Sequence, residues 1–177
     1  MNKYIGLLIL TFFLFSCSSD LDFDQANTIK LEPVIEANLA TFDVKAHQFV
    51  DNGVERSIAD VKEMDVFSDA FFEENLTKAE FYFEINNTIN RGFRVNVYLL
   101  DDNDTILYTI PFNVSPYSGS DNTITKREVF EKIKLNILKT TTKIAFVAAL
   151  LPGSPLDKNS LGSLKLRSSA TIYLTVE

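Results

Sequence analysis

Cysteine and histidine each occur once in this 177-residue chain, as Cys17 and His47. That bounds the chemistry early. Zinc and iron sites built on several imidazoles cannot form from one histidine. A serine hydrolase would have to recruit His47, yet the chain has no Gly-x-Ser-x-Gly elbow. His47 stands between Ala46 and Gln48 in a stretch that reads as strand, where a surface or half-buried side chain is the ordinary expectation. Six glycines, with neither a Gly-x-Gly-x-x-Gly turn nor a P-loop among them, leave no cradle for phosphate.

Carboxylates are the next candidates. Asp101, Asp102 and Asp104, with Asn103 between them, form the densest cluster of oxygen ligands. Calcium prefers such oxygens. The loop lacks the glycine and the closing glutamate of a calcium loop, and Asp and Asn are also the residues of hairpin turns. The turn is the first reading and calcium the alternative. Glu73, Glu74, Glu80 and Glu84 supply acids for a glycosidase pair, but spacing in space is not readable from sequence. Phe67, Phe71 and Phe72 form an aromatic cluster among acids. It reads first as core over one end of the domain, and alternatively as an exposed interaction patch.

The leader is more specific. Lys3 is followed by an almost unbroken apolar stretch from Tyr4 to Phe15, which is too short to span a bilayer. Leu14-Phe15-Ser16-Cys17 follows at the place of a small-residue cleavage site. This arrangement resembles a bacterial lipoprotein signal. The resemblance implies a diacylglycerol thioether on Cys17 and a further acyl chain such as palmitate. Two such signals anchor a protein stably, where one chain binds marginally. With Cys17 lipidated, the chain would also have no free thiol. Asp20, Asp22 and Asp24, just after the cysteine, resemble the acidic surface-export signal of Bacteroidetes outer-membrane lipoproteins, although here acids alternate with Leu21 and Phe23. Cell surface is therefore expected ahead of the periplasmic face. Asp104-Thr105-Ile106 similarly resembles a Bacteroidetes O-glycosylation acceptor, with Thr105 the modified residue. The alternatives are an ordinary signal peptide with Cys17 free, a plain tether and a plain strand start.

The elements that must position these groups are mostly strands. Hydrophobic content of 46% and charged content of 23% are globular values, and the net charge of −7 argues against nucleic acid. Period-two alternation runs through most of residues 28–177. Pro33 marks an edge or a bend, and Asn52-Gly53 a turn. Residues 54–75 read as a short strand plus a loop or helical turn. Glu80–Ile85, Phe93–Leu100 and Thr105–Val114 read as a three-stranded meander. Thr125 to Glu128 fits a capping box, and Val129, Phe130, Ile133 and Ile137 share one helical face, which favours a helix through Ile137 over the competing strand. Lys143–Leu151 and Leu164–Val176 close the chain as strands.

The expected architecture is mainly β: residues 1–16 a signal peptide, 17–27 an acidic tether, and 28–177 a single antiparallel β-sandwich of immunoglobulin-like or related Greek-key type, with at most one short helix. An eight-stranded barrel is the alternative. No cofactor is implied beyond the lipid on Cys17 and the calcium alternative. The expected role is non-catalytic: an envelope protein, held to the outer membrane by its lipid, that binds or stabilises another envelope protein. A carbohydrate- or ligand-binding module ranks second, with Tyr82, Tyr98, Tyr108 and Tyr117 in place of the absent Trp. A carboxylate hydrolase ranks third.

Overall fold

The computed structural model describes residues 30–176, apart from the side chains of Asp65 and Ser68. The leader, Cys17 and the acidic tether lie outside the described residues. Glu32–Val176 is one compact unit.

Among the described residues there are ten strands: β1 (Val34–Lys45), β2 (Val50–Asp51), β3 (Val54–Glu55), β4 (Ile58–Glu63), β5 (Leu76–Asn87), β6 (Phe93–Leu100), β7 (Ile106–Val114), β8 (Thr123–Glu131), β9 (Lys143–Leu150) and β10 (Ser163–Leu174). Two helical turns, α1 (Ala70–Asn75) and α2 (Leu135–Lys139), sit between strands. One four-stranded sheet runs β1-β10-β5-β8 and a second runs β4-β9-β6-β7. Every ladder is antiparallel. Apart from the small β2–β3 hairpin, the chain changes sheet at every connection except β6–β7. That is a sandwich of two interlocked Greek keys, the jelly-roll arrangement, and the sheets do not close into a barrel.

The core lies between the sheets and is aromatic. Phe83 and Phe130 from the first sheet meet rings of the second, with Phe83 5.8 Å from Phe112 and Phe130 5.5 Å from Tyr108, while Phe81 packs on Phe83 and Phe130 of its own sheet. Phe49 caps one end against Phe93 at 4.8 Å. Aromatic pairs of this kind add about 0.5–1.5 kcal/mol each beyond their buried area. They do the holding that disulfides would do elsewhere.

Two expectations need correction. Glu80–Ile85 and Phe93–Leu100 are not neighbours in a meander; β5 and β6 lie in opposite sheets, and only β6–β7 is a hairpin between them. The connection from Thr88 to Gly92 is anchored at both ends, which lets it cross. The helix expected from Thr125 is strand β8, which pairs with β5 from Lys78 to Asn86. Thr125 and Glu128 therefore sit on opposite faces, and no capping box forms. Helical character begins only at Lys132, and Ile133, placed on the expected helical stripe, is 87% exposed.

β8 is an edge, and its inward positions include Lys126 and Glu128. Inward charges on an edge strand discourage pairing with another chain. Glu128 accepts a 2.8 Å hydrogen bond from the Tyr108 hydroxyl and pairs with Lys134. Lys134 also lies over the rings of Tyr108 and Phe130, 4.4 and 4.7 Å from their centroids. Burial alone would raise the Glu128 pKa, but the hydrogen bonds from Lys134 and Tyr108 outweigh it and hold the carboxyl below its usual range. For Lys134 burial acts downward, and the bonds to Glu128 and Tyr108 lift it above 10.5. A lowered acid stabilises the fold above its unfolded pKa and loses that contribution as pH falls through the folded one. A raised amine loses its contribution as pH rises through its folded pKa. Glu128→Gln is therefore expected to cost about 1–2 kcal/mol at neutral pH, the lower end reflecting partial exposure, and roughly 3–6 °C in Tm. Thermal melts across pH check this. The gap between variant and wild type should close in acid. A gap that stays constant through the acid limb would refute the assignment.

Candidate functional site

The Asp101–Asp104 cluster resolves into a turn. The Asp101 carboxylate accepts the backbone N–H of Asn103 at 2.9 Å and of Thr105 at 2.8 Å. Those bonds, Thr105 first, hold its pKa below the ordinary value. Asp104 adopts a left-handed φ of 60° and takes a 2.7 Å hydrogen bond from Lys143. Lys143 reaches the Asp102 carbonyl as well, so an ammonium already sits among these oxygens. Among the described residues no group of three or more His, Cys, Asp or Glu side chains is arranged to hold a metal. Thr105 is exposed immediately before β7.

The aromatic cluster is graded from core to surface. Phe67 is fully buried and 5.8 Å from Phe81. Phe72 lies partly buried against Phe67 at 6.4 Å, and Phe71 packs on Phe72 while remaining 47% exposed. The core reading thus holds for Phe67, and a small exposed ring remains at Phe71. His47 is exposed in a 3-10 turn (Ala46–Phe49) that ends β1's extended run. Glu73 and Glu74 are exposed on α1. Glu80 and Glu84 share the outer face of β5. The Glu80 carboxyl is held below its usual range, first by the hydrogen bond from Lys78, and it also pairs with Arg127 at 3.1 Å. That is the wrong direction for a general acid working near neutrality.

What the structure does assemble lies on the outer face of the β1-β10-β5-β8 sheet. Register places Asn38, Ser169, Tyr82 and Arg127 in one row across the four strands. Thr41, Arg167, Glu84 and Thr125 form the next row. Tyr82 stands near the middle, 39% exposed. A shallow depression of about 270 Å³ lies beside it, lined by Asn38, Thr41, Glu84, Arg167 and Ser169. A second, of about 540 Å³, continues past Tyr82 toward Glu36 and Arg127. Among the described residues neither Glu84 nor Arg167 has an ion-pair partner.

A bulge shapes this face. Asn38 pairs with Ser169 and Ala40 with Ser168, so Leu39 is an extra residue in β1. The buried Ser168 hydroxyl fills the gap, accepting from the Ala40 N–H at 3.1 Å and donating to the Ala40 carbonyl at 2.9 Å. In an unbroken strand Asn38 and Thr41 would point to opposite faces. The bulge turns both outward, beside Tyr82. Tyr82 was among the tyrosines named from sequence. Asn38, Thr41, Ser169 and Arg167 were not, because only cross-strand register brings them together. Tyr98 and Tyr117 are half-buried, and Tyr108 is committed to Glu128.

The opposite outer face is charge-poor at its centre, between Glu63 and Lys143 at one end and Arg94 at the other. Val61, Ala145 and Tyr98 form one row there and Ala59, Val147 and Asn96 the next, with Val61 51% exposed. Among the described residues no helix is long and apolar enough to cross a membrane.

No protein-family model and no curated protein matches this chain. Solved structures to which it is similar include the VP2 subviral particle of infectious bursal disease virus, at 13% identity and TM-score 0.43, covering 82% of this chain and 33% of that one. A protein from Parabacteroides distasonis is similar at 14% identity and TM-score 0.43, over 66% of this chain and 38% of that one. Desmodium yellow mottle tymovirus is similar at 10% identity and TM-score 0.35, over 83% and 90%. This chain spans about a third of the length of the VP2 structure.

Proposed function

We propose that this protein is a non-catalytic binding domain of the bacterial cell envelope, held to the outer membrane through lipid on Cys17. Its binding surface is the outer face of β1-β10-β5-β8. The observation that carries this reading is the depression at Tyr82, where an exposed ring, an unpaired carboxylate and an unpaired guanidinium stand together. Side chains on a solvated sheet commonly pair across strands. Glu84 and Arg167 face each other in register without doing so, which leaves both available to a ligand. Sequence alone ranks an envelope-protein partner first, and this geometry ranks a polar ligand first. The protein-partner reading keeps one specific support in the charge-poor face around Val61, since interface cores are depleted in charge.

Full-length protein extracted from membranes tests both parts. Its intact mass should carry lipid on Cys17, and Cys17→Ala should be released from the membrane. Capture of labelled envelope extract should fall at least about tenfold in the Tyr82→Ala, Arg167→Ala double variant and stay unchanged in Val61→Glu. The reverse pattern would hand the function to the charge-poor face and a protein partner. Equal capture by all three proteins would refute binding through either face.

A further inference from the structure

The depression itself indicates what class of ligand it takes. It is centred on β10 and β5, the two inner strands, whose backbone groups are already paired on both sides, and the edge strand β1 adds Asn38 and Thr41 to its lining. A peptide adding as a strand would need an edge, so a ligand here must be read by side chains. Those side chains are one aromatic face ringed by short polar groups: Asn38, Thr41 and Ser169, each both donor and acceptor. Glu84 adds an acceptor and Arg167 a fork of donors. Their charges balance, so the site has no net preference for an anion or a cation. An apolar ligand would strip water from all of them without replacing the hydrogen bonds.

We infer that the Tyr82 depression binds a neutral carbohydrate chain, one sugar ring stacked on the Tyr82 face and its hydroxyls read by Asn38, Ser169, Glu84 and Arg167. This rests on the outer-face reading above and names its ligand. A sugar ring presents an apolar C–H face, which suits the negative face of an aromatic ring. Its hydroxyls are donors and acceptors at the rim, which suits the mixed groups around Tyr82. The two depressions meet at Tyr82 and run across four strands, roughly 14 Å at the ordinary strand spacing. That length fits a short oligosaccharide better than a single ring. The bulge at Leu39 is the device that makes the site, because it places Asn38 and Thr41 on the same side of β1.

The test uses the full chain in detergent against a panel of neutral gluco-, manno- and xylo-oligosaccharides, with uronic-acid oligomers alongside. At least one neutral chain should bind, at least about tenfold more weakly to Tyr82→Ala and within about threefold of wild type to Tyr82→Phe, which keeps the ring. Thermal unfolding of Tyr82→Ala should match wild type, since the ring is not part of the core. Binding restricted to uronic-acid oligomers, lost in Arg167→Ala but kept in Tyr82→Ala, would overturn the stacking geometry. No binding across the panel, with envelope capture still lost in the Tyr82→Ala, Arg167→Ala variant, would overturn the sugar and leave the binding face standing.

Discussion

Gly162→Ala is expected to cost at least about 3 kcal/mol and lower Tm by about 10 °C. Gly162 has a φ of +99°, and a Cβ there would lie 2.3 Å from the Thr88 carbonyl oxygen and 2.7 Å from its carbon. Neither atom can yield easily. Thr88 donates its N–H to the Ser163 carbonyl at 2.9 Å, and its hydroxyl accepts the Ser163 N–H at 2.8 Å. The Gly162 carbonyl in turn accepts the Ala46 N–H at 3.0 Å. One glycine thus joins the start of β10, the end of β1 and the crossing after β5. Gly119→Ala separates the two causes, because Gly119 has a similar φ of +95° with nothing near its would-be Cβ. Strain alone should cost that variant about 1–2 kcal/mol. Urea denaturation of both variants gives the difference. Equal losses would show that the Thr88 crossing yields, and that the junction is not a rigid tie.

Such junctions show why the fold was only partly legible. Period-two patterns located nearly every long strand, because alternation is set by burial of one face and a strand carries it locally. Asn52-Gly53 announced its hairpin for a local reason too: both residues take positive φ, 50° and 79°. Sheet membership is not local. The order β1-β10-β5-β8 joins residues more than a hundred positions apart, and short polar connections look alike whether they turn back or cross. Hence the missed crossing between Ile85 and Phe93. The helix expected from Thr125 failed for a different reason. Val129, Phe130, Ile133 and Ile137 do share a helical stripe, but nine paired positions along β5 outweigh a weak local preference. Its alternation, Ile124, Lys126, Glu128, Phe130, was masked by two charges that face inward at an open edge.

The site was less legible than the fold. Asp101 to Asp104 drew attention because chemistry-bearing residues adjacent in sequence are easy to see. The Asp101 carboxylate is taken by the turn's own amides and that of Asp104 by Lys143. Tyr82 was visible only as one tyrosine of several. Its neighbours come from β1, β10 and β8, and one of them reaches the face through a bulge that no sequence pattern announces. A binding face on a sheet is a property of register, so it emerges only once the ladders are known.

Arg91→Ala should be the other strongly destabilising change, at about 3–4 kcal/mol. Arg91 is 7% exposed. Its guanidinium donates to the Leu151 carbonyl through Nε, to the Ser154 carbonyl, and to Glu55 at 3.0 Å. The second Glu55 oxygen accepts the Leu156 N–H at 2.7 Å. Gly153 lets the arginine stem pass, since a Cβ there would lie 3.1 Å from Arg91 Cδ. Arginine and glutamate together pin the β9–β10 connection onto β3 and the β5–β6 connection. That connection delivers β10, and with it Arg167 and Ser169, to the proposed binding face. Truncation to alanine leaves a carboxylate and two carbonyls without their donor, and such orphaned groups cost more than the pair contributes. Arg91→Lys should recover little, because one ammonium cannot span three acceptors in this fork geometry. Glu55→Gln added to Arg91→Ala should recover part of the loss by removing the stranded charge, a coupling that a double-mutant cycle in urea reads directly. If Arg91→Ala cost under about 1 kcal/mol, the loop would be held by Leu156 and its apolar contacts, and the polar clamp would be incidental to the position of β10.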